Sequence, residues 1–113
     1  FDRALVKPEG CTALWRERAF EIRTGEEWTS GRFDRVVFVG EGDDRKAMIY
    51  DFKTNRPRKD ESSDDFEKSL VATYAGQMRA YRRAVHYLTG LAENHIQAYL
   101  VLIATEKVVS TNP

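Results

Sequence analysis

Cysteine is nearly missing. Cys11 is the only one among 113 residues, which excludes a disulfide framework, a thiolate zinc site and an iron–sulfur cluster. A single free thiol fits a reducing, cytoplasmic setting. Net charge is missing too, because 18 Lys and Arg balance 18 Asp and Glu. That excludes a uniformly basic coat for nucleic acid, but leaves room for a local basic groove. No apolar run approaches roughly 20 residues, so no membrane-spanning helix is expected. No Walker phosphate loop occurs, so any ATPase activity would have to reside elsewhere. No internal repeat, low-complexity tract or signal peptide is visible in these residues. The opening Phe1-Asp2-Arg3 lacks Met, which suggests a piece excised from a longer chain.

What remains is an ordinary soluble composition, 42% apolar and 32% charged. It suits a single domain over residues 1–113 with one modest core. Pro8-Glu9-Gly10 is a turn signal. Residues 14–23 have strand-like composition, and Thr24-Gly25 turns the chain. Residues 28–39, WTSGRFDRVVFV, read as a second strand rich in aromatic and β-branched residues. Residues 40–44 form a polar hairpin turn, and Lys46 to Lys53 a third strand.

Residues 54–65 are polar and without periodicity, a surface loop. Ser62, Ser63, Asp64 and Asp65 offer helix caps and suitable negative charge. Leu70, Tyr74, Gln77/Met78, Tyr81, Ala84/Val85 and Leu88 then recur at helical spacing over residues 66–89, and Gly90 stops the helix. Residues 96–105, IQAYLVLIAT, read as an interior strand covered on both faces. The order β-β-β-α-β predicts an α/β fold with a helix packed on a mixed sheet.

The stretch YDFKTN at 50–55 carries the chemistry. Asp51 and Lys53 share one strand face. A tight turn near Gly42-Asp43 predicts that Val39 meets Lys46, Val36 meets Ile49 and Asp34 meets Asp51. Carboxylates directly opposite repel and destabilise a strand pair. A divalent cation removes that conflict, since Mg²⁺ takes carboxylate oxygens together with water and phosphate oxygens. Lys53 would then stabilise charge on a phosphate, and the pattern supports metal-assisted phosphodiester hydrolysis. The plainer alternative is a structural salt bridge, with Lys53 neutralising Asp51 and Asp34 paired to Arg32 or Arg35.

Tyr74, Gln77 and Tyr81 fall on one helix face, which is also the apolar stripe. Either Gln77 sits at the stripe's edge with the tyrosines as core, or the group faces the site and holds a nucleic-acid phosphate. Arg79, Arg82 and Arg83 crowd the helix, and Lys53, Arg56, Arg58 and Lys59 crowd the loop. They form either a phosphate-tracking groove or a solvated face balanced by Asp60, Glu61, Asp64 and Asp65. Trp15 and Trp28 are expected in the core rather than as base-stacking platforms.

Together GRFDRV at 31–36, YDFKTN at 50–55 and YAGQMRAY at 74–81 resemble the RecB-type nuclease domain of the PD-(D/E)XK superfamily. That domain ends UvrD/Rep-like helicase chains, as in an exodeoxyribonuclease V beta subunit. Residues 17–20, ERAF, also resemble the family's E-x-P-F stretch, with Ala19 in place of Pro. The resemblance spans roughly residues 15–88. It implies a restriction-endonuclease-like fold and a Mg²⁺- or Mn²⁺-dependent exonuclease in recombination and repair. It implies that Asp34, Asp51 and the Phe52 carbonyl ligate the metal and that Lys53 is the catalytic lysine. Gln77, Tyr81, Tyr74 and Arg79 would support DNA binding. The implied substrate is single-stranded or frayed-end DNA. The implied partners are a helicase domain in the same chain and possible further subunits. Family members usually add an upstream ligand, often His, whereas His86 and His95 lie downstream, so the site is expected to be incomplete. A catalytically inactive DNA-binding scaffold and an RNA-directed or standalone nuclease are the other readings.

Overall fold

The computed structural model describes residue 1 and residues 10–112. Pro8 and Glu9 of the expected turn lie outside the described residues. Five strands and one long helix follow in the order β1 (Cys11–Thr24), β2 (Glu27–Val39), β3 (Lys46–Lys53), α1 (Ser63–Thr89), β4 (Ile96–Leu102) and β5 (Lys107–Ser110). Short 3-10 turns at Gly42–Asp44 and Glu93–His95 precede β3 and β4. The strands form one sheet in chain order. Its β3–β4 pair is parallel and the other neighbours are antiparallel. This mixed sheet with a helix packed on it is the expected α/β, restriction-endonuclease-like architecture.

Two boundaries and one strand differ from the expectation. The helix starts at Ser63 rather than Phe66, because Ser62 already caps it: its hydroxyl accepts the Asp65 N–H at 3.1 Å. The last apolar run ends as a strand at Leu102, and residues 103–106 turn the chain into β5. That fifth strand is only four residues long, too short for a period-two signal to stand out. Gly90 closes the helix as expected. Its φ of 78° is the left-handed conformation that glycine adopts without a Cβ clash, and its N–H donates to His86 O at 2.8 Å.

The main core lies between the sheet and α1. Phe33, Val36, Phe38, Ile49, Ala98 and Leu100 from the strands meet Met78, Tyr81, Ala84 and Val85 from the helix. The other face carries a smaller cluster around Val37, Tyr50 and Val101, with the Tyr50 ring stacked on Tyr99 at 5.4 Å. β4 is therefore covered on both faces only toward its end, since Gln97 is exposed and Tyr99 half-buried. Trp15 packs on Phe38 and Phe33 at 4.8 and 5.8 Å, as a core residue should. Trp28 does not. It is 63% exposed near the tip of the β1–β2 ribbon. The ribbon there overhangs β3, whose pairing with β2 ends at Arg35↔Tyr50, so among the described residues no third strand or helix covers it. Among the described residues no helix is long and apolar enough to cross a membrane.

Candidate active site

The β2–β3 register is the expected one through Val39↔Lys46 and Val36↔Ile49, but it ends at Arg35↔Tyr50. Asp34 therefore does not pair with Asp51 through the backbone. In a strand, alternate residues direct their N–H and C=O to the same neighbour. Phe52, two beyond Tyr50, thus points its N–H at β2, where Phe33 would continue the ladder. Asp34 intercepts that donor: its Oδ2 accepts the Phe52 N–H at 2.8 Å. The carboxylate is held by a strand end, beside Asp51, with the Phe52 carbonyl on the same edge. On the far side, Lys53 O accepts from Ile103 N at 3.1 Å, which ties β3 to the end of β4.

Asp51 is buried, only 4% exposed. Lys53 Nζ lies 2.8 Å from its Oδ2, a close ion pair. Burial above all raises the Asp51 carboxyl above its ordinary value of 3.8; the lysine opposes the rise and the neighbouring Asp34 adds to it. The repulsion expected of paired carboxylates is present, with desolvation the stronger cause.

The helix supplies the second wall. Lys53 Nζ donates to Gln77 Oε1 at 3.2 Å and sits 4.0 Å from the centroid of the Tyr74 ring. Gln77 Nε2 donates to the Tyr81 hydroxyl at 3.1 Å. Gln77 is an exposed rim residue, not an inward one, and its partner is Lys53. The Tyr81 hydroxyl is pushed above its usual 10.0 by burial and by the Asp51 charge. It stays protonated, so its own proton is free to donate.

Tyr81 owes its place to the aromatic and glycine residues of the ribbon. Its ring meets Phe20 and Phe33 edge-on at 5.6 and 5.4 Å, and those two stack at 4.6 Å. Gly31 leaves the remaining space. A Cβ there would lie 2.8 Å from Phe20 Cζ and 3.1 Å from Tyr81 Cε1. The glycine of GRFD thus admits the tyrosine, and the aspartate three residues on closes the ladder.

The structure brings Asp34, Asp51, Phe52, Lys53, Tyr74, Gln77 and Tyr81 together. It does not bring Arg79 in. That residue is exposed and about 200° around the helix from Gln77. Arg82 is not a free cation for a groove either. Its Nε and Nη2 donate to Ile96 O and Glu93 O at 3.1 and 3.0 Å, clamping the start of β4. Two residues went unassigned in the sequence. Asn55 Oδ1 accepts from the Tyr74 hydroxyl at 3.5 Å. Its place at the end of YDFKTN was the only signal. Glu17 stands across from Asp34, between the pairs Arg16↔Arg35 and Arg18↔Phe33.

The sequence profile of the PD-(D/E)XK nuclease superfamily matches residues 3–112. The chain belongs to that superfamily. Among curated proteins, none matches the sequence. Membership suggests a nuclease, a hydrolase that binds nucleic acid, and superfamily members generally use divalent metals. The donors gathered here fit such an ion: two carboxylates that repel each other and a strand carbonyl offer only hard oxygen ligands. Among the described residues no group of three or more His, Cys, Asp or Glu side chains converges. The protein side of a PD-(D/E)XK site would thus rest on Asp34, Asp51 and the Phe52 carbonyl.

Proposed function

We propose that this chain is the nuclease domain of a helicase–nuclease, degrading DNA from single-stranded or frayed ends in recombination and repair. The observation that carries the reading is that Asp51 has a second carboxylate, Asp34, beside it, and a lysine held 2.8 Å from it that also donates to Gln77 at 3.2 Å. A structural ion pair needs neither the second carboxylate nor the glutamine clasp.

Asp34, Asp51 and the Phe52 carbonyl would hold Mg²⁺ or Mn²⁺. When bound, the cation supplies Lewis-acid polarisation and neutralises charge on the phosphate. The remaining work falls to the chain's own side chains. Lys53 is preorganised by Gln77 and the Tyr74 face, so its ammonium meets developing phosphate charge without reorganising. Tyr81, kept protonated, donates to an oxygen on the carboxylate side. Gln77 and Tyr74 line the strand's path and orient its backbone. Arg79 contributes only to the outer approach, as a charge far from the bond cleaved. A further metal ligand comes from an N-terminal extension, the helicase from the same longer chain, and the setting is cytoplasmic.

The test uses an N-terminally extended chain and linear single-stranded DNA with Mg²⁺. Degradation is expected, absent without the cation and lost in Asp51→Ala and Lys53→Ala. Cleavage that persists in both variants refutes the site. An extended chain that binds DNA but never cleaves it favours the inactive scaffold. Preference for RNA, or cleavage of circular DNA, refutes the end-directed reading.

A further inference from the structure

The alternation of side chains inverts along the β1–β2 ribbon. In β1 the odd positions Ala13 and Trp15 face the core, but further on the even positions Phe20 and Ile22 do. In β2 Val36 and Phe38 face it, then Phe33. Both strands switch at one place, between Trp15↔Val36 and Arg18↔Phe33, without a change of register. At that place Glu17 has φ 44°, the left-handed region that a glutamate side chain disfavours. The inversion puts Arg18 on the same face as Trp15, its guanidinium 4.2 Å from the ring centroid. Arg32 Nε donates to Glu17 O at 3.2 Å and braces the turn from the facing strand.

Asp34 is the residue opposite this twist, and it is the one that leaves the β2–β3 ladder to take the Phe52 N–H. A ribbon with unbroken alternation would present its backbone to Phe52 instead. The Glu17 carboxylate is not itself part of the donor set, since no third acidic side chain joins Asp34 and Asp51 among the described residues. Strained backbone of this kind persists where surrounding structure enforces it, often beside functional groups.

We propose that Glu17 is a positioning residue: its left-handed backbone twists the ribbon so that the Asp34 carboxylate is delivered to Phe52 and to a cation shared with Asp51. The cation half of this rests on the nuclease reading above; the twist does not.

Two readouts on the 113-residue chain separate them. Hydrogen exchange reports the Phe52 amide, and Mn²⁺ titration reports cation affinity. Glu17→Gly and Glu17→Asn tolerate the left-handed region. They are expected to keep Phe52 protection and Mn²⁺ affinity within twofold of wild type. Glu17→Val is expected to speed Phe52 exchange at least tenfold, with Tyr50 unchanged, and to weaken Mn²⁺ at least tenfold. Glu17→Ala, an intermediate case, serves if valine prevents folding, and its Phe52 amide exchanges faster than in the glycine variant. Unchanged Phe52 protection in both valine and alanine variants overturns the proposal. So does weakened Mn²⁺ binding in the glycine variant with Phe52 still protected, which makes the carboxylate a ligand. If wild type binds no Mn²⁺ while Phe52 protection still follows the backbone preference, the cation half of the proposal fails and the twist stands.

Discussion

Replacing Lys53 with Met keeps the side chain's apolar stem and removes its charge. The ammonium lies 2.8 Å from Asp51 Oδ2, an attraction of about 6 kcal/mol at an effective dielectric constant near 20. Part of that only offsets desolvation. Breaking a buried pair by removing one partner costs about 3–5 kcal/mol, and the Lys53 side chain is 16% exposed, so the low end applies. Protonation of Asp51 limits the loss further. Its carboxyl is already held above 3.8 by burial, against the pull of Lys53 and with the push of Asp34. Just above that value the folded state binds more protons than the unfolded one, so stability falls as pH rises through the window. Without Lys53 the folded value moves further up and the fall continues to higher pH. The variant should lose about 3 kcal/mol at pH 8. At pH 4 Asp51 is protonated in a larger fraction of both folded proteins than at pH 8, and the loss shrinks toward about 1 kcal/mol, from the Gln77 bond and the Tyr74 contact. Denaturant titrations of both proteins at the two pH values measure this. A loss of equal size at pH 4 and pH 8 would show that it does not come from the Asp51 charge.

Gly31→Ala should destabilise the fold by about 1–3 kcal/mol and displace Tyr81, because the new methyl meets two buried rings; thermal unfolding and the Tyr81 ring resonances report both effects. Asp34→Asn keeps an acceptor for the Phe52 N–H and removes a charge that raises the Asp51 carboxyl. Its stability should match or exceed wild type, whereas Asp34→Ala should fall about 1–2 kcal/mol below the Asn variant in denaturant titrations. Ser62→Ala removes the cap of α1 and should cost about 1 kcal/mol with the site geometry unchanged.

Much of the site was legible because it is built from strand and helix periods. Asp51 and Lys53 are two apart on one strand, and Tyr74, Gln77 and Tyr81 share one helix face, so spacing alone grouped them. The β2–β3 register followed from the Gly-containing turn. What spacing could not show was departure from regularity. The twist at Glu17 and the interception of the Phe52 N–H by Asp34 both break the period that sequence reading assumes. Composition places Trp28 in the core, but exposure depends on where β3 stops pairing. Arg82 looked like a free cation until the turn before β4 supplied carbonyls to hold it. The helix start fell three residues early because the cap, not the first apolar residue, sets it.

In the proposed function Asp34 and Asp51 meet in order to share a divalent cation. Mn²⁺ broadens nearby amide resonances even when it binds weakly, so its footprint can be mapped on the 113-residue chain. Broadening is expected to centre on Asp34, Asp51 and Phe52, to reach Gln77 across the site and to be abolished in Asp51→Asn. Broadening centred instead on the acidic stretch at residues 60–65, or unchanged in Asp51→Asn, would contradict a shared cation.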